Sequence, residues 1–220
     1  MVGEGVLLEC LNHPDVELVL VINRKPGGVS HPKLREIIHG DFFDLAPIEP
    51  QLLGYDSCLF CLGTSSVGLS QEEYRHLTYD LTLNVGRLLA KCNPEMTFCY
   101  LTGAGTDSSE RGRIAWARVK GATENALMRL FKRSYMFRPG FIEPAHGETS
   151  RTKLYRISYA VAKPLLPLIR LLFRNQILTT QQIARAMLNL VTHPYPKHIL
   201  EIKDIRAAAE IPVPQRNEDA

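Results

Sequence analysis

The sequence predicts an α/β domain built around a doubly wound parallel sheet. Short apolar runs of strand length, such as 18–22 and 58–62, alternate along the chain with amphipathic segments of helical period. Alternation of this kind is typical of parallel strands joined by right-handed helical crossovers. The length of 220 residues suits one such unit. We therefore expect a single domain over residues 1–220, with 141–180 as a loop-and-helix segment on the substrate side.

Each element follows from its local pattern. Ser70 and Glu73 form a capping-box pair that opens the longest helix, and Thr179 or Thr180 opens a later one. Gly, Pro, Asn and Asp residues separate the elements. We expect helices over 2–11, 71–92, 114–132, 180–191 and 205–210. We expect strands over 18–22, 34–39, 58–62, 96–101, 134–137 and 199–202.

Composition and charge narrow the classes of function. The chain is 45% hydrophobic and 22% charged, which is the range of ordinary globular domains rather than disordered ones. The net charge is only +3, and no run of basic residues occurs. A nucleic-acid-binding protein usually concentrates much more positive charge on one face. The sequence therefore argues against a nucleic-acid partner.

The five cysteines predict a reduced, structural role. Cys58 and Cys61 form a C-x-x-C pair, which could indicate redox chemistry or half of a metal site. The pair lies within an apolar run of strand length, and no second Cys/His pair occurs at zinc spacing. We predict that these thiols belong to the core, that no metal is bound, and that the compartment is reducing.

The sequence carries no secretory or membrane-spanning pattern. The residues near the N terminus include Glu4, Glu9 and Asp15 and lack the basic segment with which a secretory leader begins. The most apolar stretch, 157–173, is broken by Lys163, Pro164, Pro167 and Arg170, so it is too interrupted to span a bilayer. A loop-plus-helix lid and a weak peripheral membrane patch remain open for it, with the lid favoured. We expect a cytoplasmic protein.

Short motifs stand at the predicted carboxyl ends of the strands, where parallel α/β sheets bind ligands. They are Asn23-Arg24-Lys25, Gly40-Asp41-Phe42, Cys61-Leu62-Gly63-Thr64, Thr102-Gly103-Ala104 and Arg138-Pro139-Gly140, with Val119-Lys120-Gly121 on a facing helix. As a set they resemble the atypical short-chain dehydrogenases of NAD(P)-dependent epimerase/dehydratase type, in the branch related to the human Tat-interacting oxidoreductase-like protein. The resemblance covers nearly the whole chain and implies a Rossmann-like fold.

The resemblance also implies a part of the fold that lies outside this sequence. Members of the family begin with a strand and a Gly-x-x-Gly-x-x-Gly loop, and Gly3 matches the third glycine. The first strand and most of the glycine-rich loop would then precede Met1. That strand would lie between 18–22 and 58–62. A start codon assigned too late and a real truncation are both open explanations, and the first is favoured because the loss would expose two apolar strand edges.

The resemblance implies a nicotinamide dinucleotide cofactor. Arg24 and Lys25 stand where family members read the adenosine ribose, and the absence of a carboxylate there favours NADP over NAD. A solvated basic turn is the alternative. Asp41 and Phe42 match the adenine-contacting position, although a surface Asp beside a core Phe is also consistent. The segment Leu62-Gly63-Thr64 would pass beneath the ribose, where Gly63 permits close approach.

The catalytic residues of the family match only in part. Its chemistry uses Ser, Tyr and Lys, and Lys120 fits the lysine. Trp116 stands at the tyrosine position, and an indole cannot replace a phenol as acid or base. Gly103 stands at the serine position, so Thr102 is the nearest hydroxyl that could substitute.

Further candidates lie towards the substrate side. Pro139, in the Arg138-Pro139-Gly140 turn, would approach the nicotinamide end of the cofactor. Tyr159 and Lys163 share the Tyr-x-x-x-Lys spacing, but a match of this kind arises readily by chance and falls outside the expected helix. Three polar residues are candidates for lining a substrate pocket, namely His146, Thr149 and Tyr155.

Two functions remain open at this point. The first is an oxidoreductase or epimerase that acts with NADP, or with NAD, on a small carbonyl or hydroxyl substrate. The second is a sensor or scaffold that binds NADP(H) without turnover, which Trp116 and Gly103 favour. The resemblance also implies that helices 71–92 and 114–132 could form a homodimer contact.

Overall fold

The structure, a computed structural model, describes residues 1–145 and 176–212. The helices are α1 (Val2–Asn12), α2 (Gln71–Arg75), α3 (Leu81–Cys92), α4 (Ala115–Leu130), α5 (Thr180–Thr192) and α6 (Ile202–Ala209). The strands are β1 (Val19–Asn23), β2 (Leu34–Ile38), β3 (Ser57–Phe60), β4 (Thr97–Leu101), β5 (Arg133–Arg138), β6 (Phe141–Glu143), β7 (Ile177–Thr179) and β8 (Ile199–Glu201). The predicted elements in the described ranges are present, with their ends displaced by a few residues.

Every strand pair in the described residues is parallel. The main sheet has the order β3-β4-β5-β8, β1 pairs with β2, and β6 pairs with β7. Strands β4 and β5 are almost wholly buried, whereas β1 is half-buried along its length. Within the described ranges β1 and β3 do not pair with each other, and this break falls where the sequence analysis expects a further strand.

Helices cover both faces of the sheet, which confirms the doubly wound arrangement. One apolar cluster joins α1, α5 and α6 to the sheet, and its fully buried members include Phe137, Leu178 and Met187. The other joins α3 and α4 to the opposite face, with Phe98 and Phe131 stacked 4.7 Å apart between ring centroids. Because strand side chains alternate between faces, one strand supplies both clusters.

The long helix predicted over 71–92 contains an irregular turn. Ser70 and Glu73 form the predicted capping box, each side chain bonding the other's backbone N–H. The chain then passes through one π-helical turn, His76–Asp80, before α3 continues the helix. A π turn inserts an extra residue into the helical repeat and is often found at functional sites. Here it carries residues that face the sheet's carboxyl edge.

Several elements differ from the sequence-based expectations. A 3₁₀ helix, Ala46–Leu52, and the short pair β6–β7 were not predicted, and the expected loop-and-helix segment 141–180 therefore contains strand at both described ends. Helix α6 begins at Ile202, earlier than predicted. The apolar stretch 157–173, the Tyr159/Lys163 pair and the candidates His146, Thr149 and Tyr155 lie outside the described residues. Across residues 1–145 and 176–212, no helix is long and apolar enough to cross a membrane.

The cysteines are free thiols, and Cys10, Cys58, Cys61 and Cys99 pack in or against the two apolar clusters. Burial raises the pKa of Cys10, Cys58 and Cys61 to about 12. Burial also raises the pKa of Cys99 well above its ordinary value. A thiol with so high a pKa holds almost no thiolate near neutral pH, and the thiolate is the nucleophile and the metal ligand. The chemistry of these thiols agrees with the predicted structural role.

Candidate functional site

A narrow crevice opens at the carboxyl edge of the sheet, between β3, β4, α4 and the α2–α3 helix. It encloses only about 20 Å³, enough for a small group such as an amine or a hydroxyl rather than for a ring. Its walls are formed by Leu62, Gly63, Thr64, Tyr74, Leu77, Thr78, Leu81, Thr82, Tyr100, Leu101 and Lys120. The structure thus brings together two of the predicted groups, the segment after β3 and Lys120.

Lys120 is the cation in this crevice. Its Nζ donates to the backbone oxygen of Thr102 at 2.9 Å, which holds the amine at the end of β4. Burial lowers the pKa of Lys120, and the nearby Glu124 carboxylate acts in the opposite direction. A Cβ at Gly103 would lie 3.7 Å from Nζ, so a serine at that position would stand beside the amine. Gly103 has only a hydrogen there.

Behind Lys120, a buried ion pair joins α4 to β5. The carboxylate of Glu124 is fully buried and accepts from Nε of Arg138 at 3.1 Å and from the Nη2 of the same side chain. The hydroxyl of Thr102 lies 2.7 Å from Glu124 Oε1 and 2.9 Å from the oxygen of Phe137, either of which can accept its single hydrogen. Thr102 therefore points into the protein, and its role as a catalytic hydroxyl stays a prediction.

Trp116 faces a glycine turn rather than the crevice. Its Cη2 would lie 3.5 Å from a Cβ placed on Gly105, which has a φ of +82° that favours glycine. The residues that line the crevice do not include Trp116. The indole at the family's tyrosine position therefore packs on the β4–α4 loop.

The β4–α4 loop fits tightly against α4 at Gly121. A Cβ on Gly121 would lie 1.8 Å from the backbone oxygen of Asp107, a separation that no side chain can occupy. The Asp107 amide also donates to the oxygen of Ala117 at 3.1 Å. Glycine at 121 is thus required by the close approach of two backbones, which brings the loop that carries Gly103 down onto the helix that carries Lys120.

The crevice is also lined by two tyrosines that the sequence did not indicate. Tyr100 is buried near the end of β4 and lines the crevice together with Thr82. Burial raises the pKa of its phenol, and burial also raises the pKa of Tyr74 on α2. Tyr100 lies in a strand-length apolar run and resembles an ordinary core aromatic, and Tyr74 lies among polar residues of a helix, so no sequence signal marked either residue.

The predicted ribose-binding residues follow β1. Arg24 and Lys25 are exposed, as a site for a phosphate requires. The loop that carries them is held by Glu36 of β2, whose Oε1 accepts from Asn23 Nδ2 at 2.7 Å and from the Gly27 amide at 2.9 Å. The cofactor-binding roles of Arg24 and Lys25 stay predictions, and Glu36 is an additional organising residue that the sequence did not reveal.

The predicted adenine-contacting residues follow β2. Asp41 is exposed, and its Oδ1 accepts from the Phe43 amide at 2.8 Å, while Phe42 packs against the core. Asn84 of α3 donates to the backbone oxygens of Phe42 and Phe43, each at 3.0 Å. These contacts place the loop beside the α2–α3 helix but outside the crevice lining. The adenine-binding roles of Asp41 and Phe42 stay predictions.

Two further predicted residues, Gly3 and Pro139, lie where two segments of the chain are in close contact. Gly3 lies at the start of α1, where a Cβ would come within 3.3 Å of Cys61 Cβ, so the helix packs closely on the chain after β3. Pro139 accepts a hydrogen bond from the Ala104 amide at 2.9 Å, which ties the end of β5 to the loop after β4. Both residues support the carboxyl edge, and their contact with a cofactor stays a prediction.

A larger groove of about 510 Å³ lies elsewhere, on β1, β2 and the segment that leads into β3. Its walls are formed by Leu18, Leu20, Arg35, Glu36, Ile37, Pro50, Gln51, Leu53, Gly54 and Tyr55. None of the predicted site residues belongs to it. The described residues contain no cluster of three or more His, Cys, Asp or Glu side chains that could hold a metal ion.

Comparison with solved structures identifies the fold. The enzyme WbmH of Bordetella bronchiseptica, in complex with NAD+, is 16% identical over 94% of this chain and 76% of its own, with a TM-score of 0.62. The UDP-N-acetylglucosamine 4-epimerase of Bacillus cereus is 12% identical over 94% and 79%, with a TM-score of 0.60. RMD of Pseudomonas aeruginosa, complexed with NADPH, is 14% identical over 88% and 70%, with a TM-score of 0.54.

No family model matches the sequence, and no curated protein sequence does so either. The structural neighbours include two epimerases and a short-chain dehydrogenase/reductase superfamily protein with bound NAD. At identities this low the likeness concerns the fold and not the activity. The chain therefore has the Rossmann-like fold of the short-chain dehydrogenase and epimerase enzymes.

Proposed function

We propose that this protein binds a nicotinamide dinucleotide along the carboxyl edge of its sheet, NADP in preference to NAD. We further propose that it acts as an oxidoreductase or epimerase on a small carbonyl or hydroxyl substrate, as a divergent relative of the atypical short-chain dehydrogenases. The observation that carries the proposal is the crevice in which Lys120 faces Gly63 and the chain after β3. It is supported by the fold, whose solved neighbours include NAD and NADPH complexes.

The residues at this edge suit a dinucleotide. A Cβ on Gly63 would meet no atom within 4 Å, so its backbone is open to a sugar or a phosphate. The crevice admits a hydroxyl but not a ring, so Lys120 would hold the nicotinamide ribose through a ribose hydroxyl, and Arg24 with Lys25 would hold the 2′-phosphate. A further strand and glycine-rich turn between β1 and β3, of which Gly3 is the matching last glycine, would carry the pyrophosphate.

The proposed chemistry needs a proton as well as a hydride. Bound nicotinamide supplies or accepts the hydride. Trp116 has no proton to exchange in this pH range, and the Thr102 hydroxyl is directed at Glu124 or at Phe137. Lys120 is then the titratable cation beside Gly103, where no side chain stands. Burial lowers the pKa of Lys120 towards the range in which an ammonium can act as an acid.

A second candidate function is an NADP(H)-binding sensor or scaffold without turnover. The observation that favours it is the pair of replacements at the catalytic positions, with Trp116 packed on Gly105 and no side chain at Gly103. Both candidates share the dinucleotide and differ only in the reaction. The enzyme is preferred because Lys120 keeps its amine in the crevice.

Direct titration with NADPH tests the shared part of the proposal. Replacing Lys120 with Met removes charge-assisted hydrogen bonds of about 1.5–3 kcal/mol, so the Kd should rise by about 10- to 100-fold. Replacing Arg24 with Ala should weaken NADPH binding by about 10-fold and leave NADH binding unchanged. Fluorescence of the reduced nicotinamide measures the Kd of both variants. The same titration is made with a chain that has a strand and glycine-rich turn fused before Met1, and we expect this longer chain to bind more tightly.

Matched controls make the titration decisive. Lys132 is a lysine whose side chain is 80% exposed, and Lys132→Met should leave the Kd unchanged. Arg35 is an exposed arginine on β2, and Arg35→Ala should not alter the NADPH-to-NADH ratio. Failure of both chains to bind either dinucleotide would reject the proposal. Binding without oxidation of NADPH by any member of a panel of aldehydes, ketones and nucleotide sugars would favour the sensor over the enzyme.

A further inference from the structure

The network behind the crevice points to a residue that has no assigned part in the proposed site. We infer that Glu124 is a positioning residue, which keeps the Lys120 amine protonated and fixes the Thr102 carbonyl on which that amine rests. The structural part of this inference stands on the geometry of α4, β4 and β5. Its consequence for nucleotide binding rests on the proposed function.

Thr102 is the residue through which Glu124 and Lys120 are joined. Its hydroxyl lies 2.7 Å from a Glu124 oxygen, and its backbone oxygen accepts from Lys120 Nζ at 2.9 Å. Its amide donates to the Phe137 oxygen at 2.8 Å, so all of its polar groups have partners. These contacts hold the Thr102 carbonyl towards the amine.

Glu124 is itself held rigidly. Arg138 donates to both of its carboxylate oxygens, a bidentate contact that fixes the plane of the carboxylate. Arg138 is anchored in turn by the Ser108 hydroxyl and, at 3.4 Å, by Glu201. A carboxylate held in this way, one helical turn beyond Lys120, acts as a fixed negative charge beside the amine.

Among the residues that the structure describes, the other groups near Lys120 do not supply this charge. The crevice brings it close to Tyr74 of α2 and Tyr100 of β4, and burial raises the pKa of each phenol, so both are neutral at ordinary pH. From β5, the Arg138 cation opposes protonation of Lys120 but is paired with Glu124. Glu124 is therefore the group that offsets the burial of the amine.

Protonation decides what Lys120 can bind. An ammonium has three N–H donors, of which Thr102 takes one, so two remain for ribose hydroxyls or for a reacting oxygen. A neutral amine has one donor fewer and no charge. Lys120 is charged below its pKa and loses the charge as pH rises through it. Burial lowers that pKa, so the charge is lost at a lower pH than in an exposed lysine. Removing the Glu124 charge would move this loss to lower pH.

The test is an NMR titration of the lysine side chains, with ¹³C at Cε, on the full chain without nucleotide. Glu124→Gln keeps the shape of the side chain but removes its charge, and the amide nitrogen cannot accept from Arg138, so one acceptor is lost with the charge. We expect this change to lower the midpoint of the Lys120 resonance by about one pH unit or more. Glu201→Gln is the matched control because it removes a carboxylate that contacts Arg138 but lies on β8, and its midpoint should equal that of the wild type. Lys120→Met assigns the resonance.

A second variant guards against misfolding. In Glu124→Gln/Arg138→Met the unpaired buried cation is gone, and the Lys120 midpoint should still lie below that of the wild type. An unchanged midpoint in both proteins that carry the Glu124→Gln substitution would overturn the inference. NADPH titration across pH then tests the consequence: binding by the Glu124→Gln protein should weaken at a lower pH than in the wild type. A shifted midpoint with no NADPH binding in any variant would reject the proposed function and leave the role of Glu124 intact.

Discussion

Gly121→Ala is expected to destabilise the protein by about 3 kcal/mol or more, although alanine is the better helix former. The added methyl would stand 1.8 Å from the backbone oxygen of Asp107, and a backbone carbonyl cannot rotate away as a side chain can. The loop and α4 must therefore separate, with loss of the Asp107-to-Ala117 hydrogen bond. Urea unfolding followed by circular dichroism measures the change.

Substitutions at two other glycines provide comparisons for the stability of the Gly121→Ala protein. Gly63→Ala meets no atom within 4 Å, and we expect its effect to stay within about 0.5 kcal/mol. Gly86→Ala in α3 would place its methyl 3.0 Å from Leu127 Cδ2, a flexible side-chain end, so an intermediate loss is expected. A Gly121→Ala protein as stable as the Gly63→Ala protein would show that the loop does not rest on α4 as described.

Arg138→Leu is expected to be the most damaging change of a charged residue, with a loss of about 3–5 kcal/mol. It leaves the Glu124 carboxylate fully buried without its cation, and the desolvation of that carboxylate is no longer offset. The same measurement of unfolding in urea applies.

Substitutions at the two carboxylates that contact Arg138 distinguish the cost of an unpaired buried charge from the cost of lost packing. Glu201→Gln removes the charge from the outer contact at 3.4 Å, where the carboxylate is half-exposed, and a Gln oxygen can still accept from the first turn of α6, so less than about 1 kcal/mol should be lost. The double variant Glu124→Leu/Arg138→Leu removes both charges and should be more stable than Arg138→Leu alone. Equal losses in the single and double variants would contradict the account of the pair.

The sequence predicted the parts of the fold that depend on local pattern. Apolar runs of strand length located β1 to β5, and the Ser70 capping box located the start of α2, because both signals are contained within a few residues. The 3₁₀ helix over Ala46–Leu52 was missed because two prolines and a short apolar set resemble a loop.

The site was less predictable because its contacts join distant segments. Lys120 and the chain after β3 were expected at one edge, and the structure brings them into one crevice. The contact between Glu36 and Asn23 spans β2 and β1, and the bond between Arg138 and Glu124 spans β5 and α4. No spacing rule indicates such pairs. The direction of the Thr102 hydroxyl and of the Trp116 ring likewise depends on packing, which a single sequence does not specify.

We propose that a dinucleotide lies along the carboxyl edge of the sheet, between Arg24 and Lys120, and a crystal structure with NADPH would reveal its position. We expect a ribose hydroxyl within hydrogen-bond distance of Lys120 Nζ and the 2′-phosphate beside Arg24. Nucleotide density in the groove formed by Leu53 and Tyr55, with the Lys120 crevice unchanged, would contradict it.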